Sequence, residues 1–254
     1  MAERAPAASV AQRHRAILDL IAAHGTMGVE ALAGALGVTP QTVRRDLALL
    51  ARDDKLARVH GGASGTGNIA WAERREIALG PKQAIGAAAA ALIPDGASLF
   101  LDIGTTPEAV AAALTGRQGL LVVTNNLNAV DLLGDGAEVI VVGGRLRRGD
   151  RAIIGPQAAA FIAGFKVDMA VIGASAIDAD GWLLDFDENE GAAMQAMIVQ
   201  ARRAILVVDG SKVGRAAPFR IAHLSAFAQV VTDAPGAPEL LAACVEAGVE
   251  VVLA

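Results

Sequence analysis

From about residue 81 onward the sequence alternates between two textures, and that alternation constrains the fold more than any other feature. Apolar, strand-like runs occur at "SLFLDI", "LLVVTN", "AEVIVVGG", "VDMAVIGASAI", "RAILVVD", "QVVTDA" and "VEVVLA". Between most of them lie helix-like segments: "KQAIGAAAAALI", "PEAVAAAL", "NNLNAVDLL", "PQAAAFIA", "GAAMQAMIVQA" and "APELLAACVEAG". Strands with little polar face, separated by helices, predict an α/β domain built on a largely parallel sheet covered on both sides. With 54% hydrophobic residues the chain has ample material for such a core. No internal repeat of fixed period is present. No apolar run reaches the ~18 uninterrupted residues of a membrane span.

At 254 residues the chain is long for one domain, and its first 60 residues read differently. They carry eight Lys and Arg against six Asp and Glu, a net +2, whereas the remaining 194 are net −7. That asymmetry suits a head that meets a polyanion and a body that does not. Residues 12–24, "QRHRAILDLIAAH", put Ile17, Leu20 and Ile21 on one helical face before Gly25. A second short helix, "GVEALAGAL", ends before Gly37. "TPQTVRRDLALL" then opens with Thr39 at the N-cap and Pro40 at the first helical position. Helix, tight turn and capped helix form the helix-turn-helix pattern. With Val43, Leu47 and Leu50 facing inward, Gln41 and Arg45 point outward, flanked by Thr42 and Arg44. Arg and Gln pair bidentately with guanine and adenine edges in the major groove, and Thr39 at the helix start suits a phosphate. The same pattern also suits a small three-helix domain whose arginines form a solvated face, with Arg45 paired to Asp46.

"TPQTVRRDLALLARDDKLARVHGGA" resembles the signature of the DeoR-type bacterial repressors, and residues 12–63 fit it without a gap. The resemblance implies a winged helix-turn-helix over residues 1–60 that binds double-stranded operator DNA, with Arg58 and His60 in the wing. The Gly/Ser/Thr-rich "GGASGTGN" reads as the start of a linker, 61–80, before a sensor domain over 81–254.

In a parallel sheet, ligands bind beyond the carboxyl ends of the strands. "LDIGTTPEAV" ends a strand at Asp102 and turns at Gly104-Thr105-Thr106 into a helix, whose free N–H groups and positive dipole end make an anion cradle. The competing reading is a plain capping box between Thr105 and Glu108, with Pro107 starting the helix. The turn is neither a Walker A loop nor a dinucleotide-binding fingerprint. Three further strand ends are polar: Thr124, Asn125 and Asn126; Gly143, Gly144 and Arg145; and Asp209, Ser211 and Lys212. Lys212 suits a phosphate charge, and Asp102 or Asp209 suits ligand hydroxyls.

These motifs are similar to the sensor half of the DeoR family, whose fold is that of the phosphosugar isomerases, from about Lys82 to Ala254. The resemblance implies a small phosphorylated effector and a homo-oligomer, dimer or tetramer. The particular segments "DIGTTPEAVA" and "DGWLLDFD" shift the implied effector from a sugar phosphate towards glycerol 3-phosphate, with a regulator of another sugar-phosphate pathway as the alternative. In one respect the chain departs from the family: where a basic pair usually follows the acidic stretch "DFDENE", it carries Met194-Gln195. That acidic stretch leaves an enzymatic alternative, a phosphosugar isomerase with Asp185, Asp187, Glu188 or Glu190 as general base. An acidic run at a helix start more often complements the dipole. No cofactor, metal or catalytic residue is expected. Charges interrupt the N-terminus where a signal peptide would be apolar, which favours a cytoplasmic protein. A single cysteine, Cys244, permits no intrachain disulfide and reads as a small apolar residue in a helix.

Overall fold

The computed structural model describes residues 9–24, 26–52, 56–59, 62–64, 71, 74, 77–233 and 238–254. The chain divides into two compact units, Met1–Ala70 and Trp71–Ala254.

The first unit holds helices α1 (Val10–His24), α2 (Val29–Leu36) and α3 (Pro40–Arg52). It also holds the short strands β1 (Thr26–Gly28), β2 (Ala57–Val59) and β3 (Gly62–Ser64). The apolar positions spaced along the three helices close over one core: Ile17, Ile21, Leu32, Val43, Leu47 and Leu50 are buried together with Leu56. Gly37, in the left-handed region at φ 64°, ends α2 and donates its N–H back to Ala33 and Gly34, which frees the chain to start α3 after a tight turn. The segment expected to begin a linker instead supplies a strand. β3 sits in the middle of the sheet β1-β3-β2, antiparallel to both neighbours, because the otherwise open edge of the β2–β3 hairpin is satisfied by Thr26–Gly28.

The second unit is built on a seven-stranded sheet in the order β15-β14-β12-β9-β4-β5-β6. Its strands are β4 (Ser98–Leu101), β5 (Leu120–Thr124), β6 (Ala137–Val141), β9 (Val167–Ile172), β12 (Ala201–Val207), β14 (Gln229–Thr232) and β15 (Glu250–Leu253). Every neighbouring pair is parallel, so the alternation in the sequence becomes the expected architecture. Residues one apart on a strand serve opposite faces. Phe100, Val123, Ala170 and Leu206 pack into one core, while Leu99, Leu101, Val122, Val171 and Ile205 pack into the other. The first core is closed by α7 (Pro156–Ile162), α8 (Glu188–Gln200) and α9 (Pro238–Ala247). The second is closed by α4 (Leu79–Ala91), α5 (Thr105–Ala113) and α6 (Leu127–Leu132). Cys244 is buried in the first of them, as its apolar surroundings predict.

Two smaller pieces were not legible as separate sheets. β7 (Arg145–Arg147) and β8 (Ala152–Ile154) form an antiparallel hairpin, and β10 (Ala176–Ile177), β11 (Trp182–Asp185) and β13 (Phe219–His223) form a three-stranded sheet.

Helices α4 and α5 approach closely at Gly86, where a Cβ would lie 2.6 Å from the carbonyl oxygen of Ala109. Gly86→Ala gains about 1 kcal/mol of helix propensity, but it forces two backbones apart at an overpacking cost of roughly 1–3 kcal/mol. The expected net outcome is a melting temperature lower by a few degrees, read by thermal unfolding; an unchanged value would mean that the two helices have slack.

Candidate functional site

In the first unit, α3 presents the outward face that its spacing predicted. Val43, Leu47 and Leu50 are buried, whereas Gln41, Arg44 and Arg45 are exposed and Thr42 is half-buried. Thr39 caps the helix: its Oγ1 accepts the Thr42 N–H at 3.2 Å and lies 2.9 Å from the Thr42 hydroxyl. Asp46 does not pair with Arg45. It accepts Arg13 Nε at 2.5 Å and Arg13 Nη2 at 3.0 Å, and lies 3.1 Å from His14 Nε2. Burial pushes the Asp46 carboxyl up, but the hydrogen bonds from Arg13 and His14 outweigh it and hold its pKa below the usual value. This pair fixes α3 against α1 and leaves Arg45 to solvent. Arg44 makes only a loose, exposed contact with Glu30 at 3.6 Å. Arg58 lies in β2, and His60 lies outside the described residues.

In the second unit the sequence order of the sheet reverses between β4 and β9, the topological switch point at which open α/β sheets form a crevice. A cleft opens there. From beyond β4 come Asp102, Gly104, Thr105 and Thr106; from beyond β9 comes Gly173-Ala174-Ser175; Asp185, Glu190, Met194, Lys212 and Arg74 complete the wall. Gly104 makes the turn at φ 120°, where a side chain would be strained. α5 therefore starts at Thr105 itself, with no side-chain cap, and the N–H groups of Thr105 and Thr106 have no helical carbonyl to meet. The capping box does not form, because Glu108 is used elsewhere: its Oε1 accepts Trp71 Nε1 at 2.8 Å and Asn128 Nδ2 at 3.0 Å. The turn is left with donors that face the cleft, which is chemistry for an anion.

The same cleft is also lined by acceptors without partners. Asp102 Oδ2 accepts the Gly173 N–H at 3.3 Å, but Oδ1 is buried and unbonded. Asp185 Oδ1 accepts the N–H groups of Phe186 and Asp187 at 2.7 and 2.9 Å; its Oδ2 is buried without a hydrogen bond of normal geometry, with the Ser175 hydroxyl as the neighbouring donor that lowers its pKa against burial. Burial pushes Asp102 up to about 7, against the N–H groups of Ile103 and Gly173. Asp185 and Glu190 are likewise raised by burial. Arg147 holds this acidic wall together. It binds Asp150 at 2.9 and 2.5 Å, Asp187 at 3.1 Å and Glu190 at 2.7 Å. Burial opposes its charge, but Glu190 and Asp150 outweigh that and raise its pKa. On the cationic side, burial lowers Lys212 to about 8; Asp209 opposes the shift, and Arg215, Arg74 and Lys82 add to it.

The remaining expected residues sit at the same sheet edge but do not line the cleft. Thr124 Oγ1 donates to Leu101 O at 2.6 Å, and Asn126 caps α6 while its Nδ2 donates to Asp102 O at 3.3 Å. Asn125 Nδ2 donates to Ile153 O at 3.3 Å. These three tie β4, β5 and β8 together beneath the site. Gly143 and Gly144 lead into the β7–β8 hairpin, where a Cβ on Gly144 would lie 2.9 Å from Ile153. Asp209 caps the turn Gly210–Lys212 through the Ser211 N–H, and so orients Lys212 rather than facing the cleft. Met194 lines the cleft, whereas its neighbour Gln195 is exposed and donates to Ile221 O at 3.0 Å.

Sequence reasoning missed Arg74, Arg147 and the 173–175 loop. The last was hidden inside the apolar run "VDMAVIGASAI", where the Gly-Ala-Ser break was its only signal. Arg147 lay in a stretch read for its glycines, and Arg74 lay in the expected linker.

The DeoR-like helix-turn-helix domain matches residues 13–66, and the DeoR C terminal sensor domain matches residues 78–234. The glycerol-3-phosphate regulon repressor of Haemophilus influenzae is 46% identical over 218 residues, 84% of this chain and 85% of that protein. The glycerol-3-phosphate regulon repressor of Escherichia coli is 42% identical over 229 residues, 88% of this chain and 91% of that protein. Among solved structures, ribose 5-phosphate isomerase A from Methanocaldococcus jannaschii aligns at 16% identity with a TM-score of 0.40, covering 54% of this chain and 55% of that one.

A carboxyl whose folded pKa lies above its unfolded value removes stability as pH rises between the two. For Asp102 that window runs from about 4 to about 7. Asp102→Asn should therefore raise the melting temperature of the ligand-free protein by a few degrees at pH 8, with little gain at pH 4, read by thermal unfolding at both pH values. A lower melting temperature at pH 8 would show that the charge is compensated.

Proposed function

The chain belongs to the DeoR family, and from that premise we propose that it is a DNA-binding transcriptional repressor released from its operator by a small phosphorylated polyol. Glycerol 3-phosphate is the first choice, with genes of glycerol or glycerol 3-phosphate metabolism under control. One observation carries the choice of ligand class. The cleft at the switch point sets free helix N–H groups, Lys212 and the Thr105 and Thr106 hydroxyls beside two buried carboxylate oxygens, on Asp102 and Asp185, that lack a hydrogen bond of normal geometry. A phosphate suits the first set and vicinal hydroxyls suit the second. Neither inorganic phosphate nor an unphosphorylated polyol satisfies both.

The recognition face is Gln41, Thr42, Arg44 and Arg45, with Thr39 and the helix start on a phosphate and Arg58, in β2, as the wing's contribution. Two such helices on half-sites one DNA turn apart, about 34 Å, require a two-fold homo-oligomer. Among the described residues no helix is long and apolar enough to cross a membrane, in keeping with a protein that works on DNA in the cytoplasm. The isomerase reading keeps one candidate at the acidic wall. Glu190 is held by Arg147 and Asp187 is spent capping α8, which leaves Asp185 as the acidic group with an open oxygen in the cleft, and the likeness to repressors rather than the wall decides against an enzyme. Both glycerol-3-phosphate regulon repressors named above match along most of their length.

Effector binding and DNA binding are separable by mutation. Arg45→Ala should weaken operator binding by roughly 1–3 kcal/mol, about 5- to 150-fold in fluorescence anisotropy, while glycerol 3-phosphate still binds. Thr106→Ala should weaken glycerol 3-phosphate binding by about tenfold or more and leave a repressor that stays on DNA at ligand concentrations that release the wild type. Release of the variant at wild-type concentrations would remove the cradle.

The binding should also depend on pH with a defined sign. A ligand hydroxyl on Asp102 favours its ionised form, so affinity should rise as pH passes about 7. A phosphate favours protonated Lys212, so affinity should fall as pH passes about 8. Calorimetric titration from pH 6 to 9 should give an optimum between those values, and Asp102→Asn should flatten only the acid limb.

A further inference from the structure

We propose that Arg74 takes the effector's phosphate in its guanidinium fork and thereby passes occupancy of the cleft to the stretch of chain that follows the DNA-reading unit. The inference rests on the effector site proposed above and adds to it a ligand residue and a route of coupling.

Three observations carry it. The first is an unmet donor. Arg74 lines the cleft beside Thr105, Thr106 and Lys212; its side chain is only 12% exposed, and its Nε–H is buried without an acceptor. The nearest carboxylate oxygen of its ion pair, Asp150 Oδ2, is 3.8 Å from Nη2, beyond hydrogen-bond reach, and Asp150 is already held at 2.9 and 2.5 Å by Arg147. A buried, unsatisfied guanidinium N–H is costly. A phosphate oxygen is the acceptor that its planar fork fits best.

The second is the way this stretch is tied down. Trp71 Nε1 donates to Glu108 Oε1 at 2.8 Å, and Glu108 is in the first turn of α5, the helix whose start forms the cradle. Lys82 spends a buried ammonium on two backbone carbonyls of the same stretch, Arg74 O and Ile77 O, each at 2.6 Å. Burial lowers the Lys82 pKa, so this anchoring is itself expensive. Arg74 thus stands between two fixed points, with its backbone held and its side-chain donor unmet.

The third is position in the chain. The first unit ends at Ala70 and the second begins at Trp71, so Arg74 is among the first residues after the DNA-reading unit. A ligand that satisfies Arg74 changes the energy of that stretch directly. Differential binding of this kind is what a population shift requires.

The test uses the full chain, its operator and glycerol 3-phosphate, comparing wild type with Arg74→Gln, Arg74→Lys and Thr106→Ala. For each protein the ligand Kd is measured by calorimetry, together with the ratio of operator Kd values with and without saturating ligand. A Trp182→Phe background leaves Trp71 as the sole tryptophan, so its emission reports on this stretch. Expected for Arg74→Gln are a ligand Kd at least about tenfold higher, an operator ratio closer to one even at saturation, and loss of the ligand-induced change in Trp71 emission. Arg74→Lys, which keeps the charge without the fork, should fall between. It carries the test if Arg74→Gln does not fold.

Wild-type ligand affinity and a wild-type operator ratio in the Arg74 variants, beside a defective Thr106→Ala, would overturn this inference and leave the site intact. Weakened ligand binding with full release at saturation would overturn the coupling route. A wild-type protein that binds neither glycerol 3-phosphate nor inorganic phosphate would overturn the site and the inference together.

Discussion

Everything at the carboxyl edge of the second unit depends on one constraint: the seven strands of its sheet all run the same way. A parallel sheet sends every strand's last residue to a single edge, and crossover helices must start there. Loops far apart in sequence, after Leu101, Ile172 and Val207, therefore open on one side. The reversal of strand order between β4 and β9 then separates two of those loops enough to leave a cleft. An antiparallel arrangement of the same strands would scatter Asp102, Ser175 and Lys212 over both ends of the molecule.

The cleft is electrostatically expensive. Asp102, Asp185 and Glu190 are buried carboxyls with raised pKa values, while Lys82, Lys212 and Arg215 are cations whose pKa values burial lowers. Arg147 offsets part of the acidic side by holding three carboxylates at once, and the charge of Asp209 opposes the lowering of all three cations. The first unit shows the contrast. Its buried Asp46 is fully paired with Arg13 and His14, and its pKa is lowered. Asp46 fixes a helix in place, whereas the second unit's charges hold a space open.

The legibility of the chain follows the range of the interactions involved. The parallel sheet, the two units and the outward face of α3 were readable because each rests on local spacing: apolar runs, Pro40 after Thr39, and Val43-Leu47-Leu50. The turn from β4 into α5 was readable for the same reason, down to Gly104. What was not readable is set by contacts distant in sequence. The fate of Glu108, which decides between a capping box and an open cradle, is fixed by Trp71 and Asn128, 37 and 20 residues away. Thr124 and Asn126 have the composition of ligand residues, yet bonds to Leu101 and Asp102 consume them. Arg74 carried no periodic signal, because its place comes from Lys82 gripping its carbonyl.

A ligand shifts an equilibrium only by the difference in its affinity for the two states, and the coupling that regulators need is modest, typically 1–3 kcal/mol. The groups left unmet in the cleft bear directly on that amount. Each buried donor or acceptor without a partner costs on the order of 1–3 kcal/mol. Asp102 Oδ1, Asp185 Oδ2 and Arg74 Nε are three such atoms around one space. A ligand that satisfies them in one arrangement of the chain, and fewer in another, has the required difference without any large new interface. Under the proposed function the same atoms set the ligand's chemistry: an acceptor-rich anionic end for Arg74 and a hydroxyl end for the two carboxylates. In that proposal specificity and switching come from one source, the polar groups that the fold buries and does not pair.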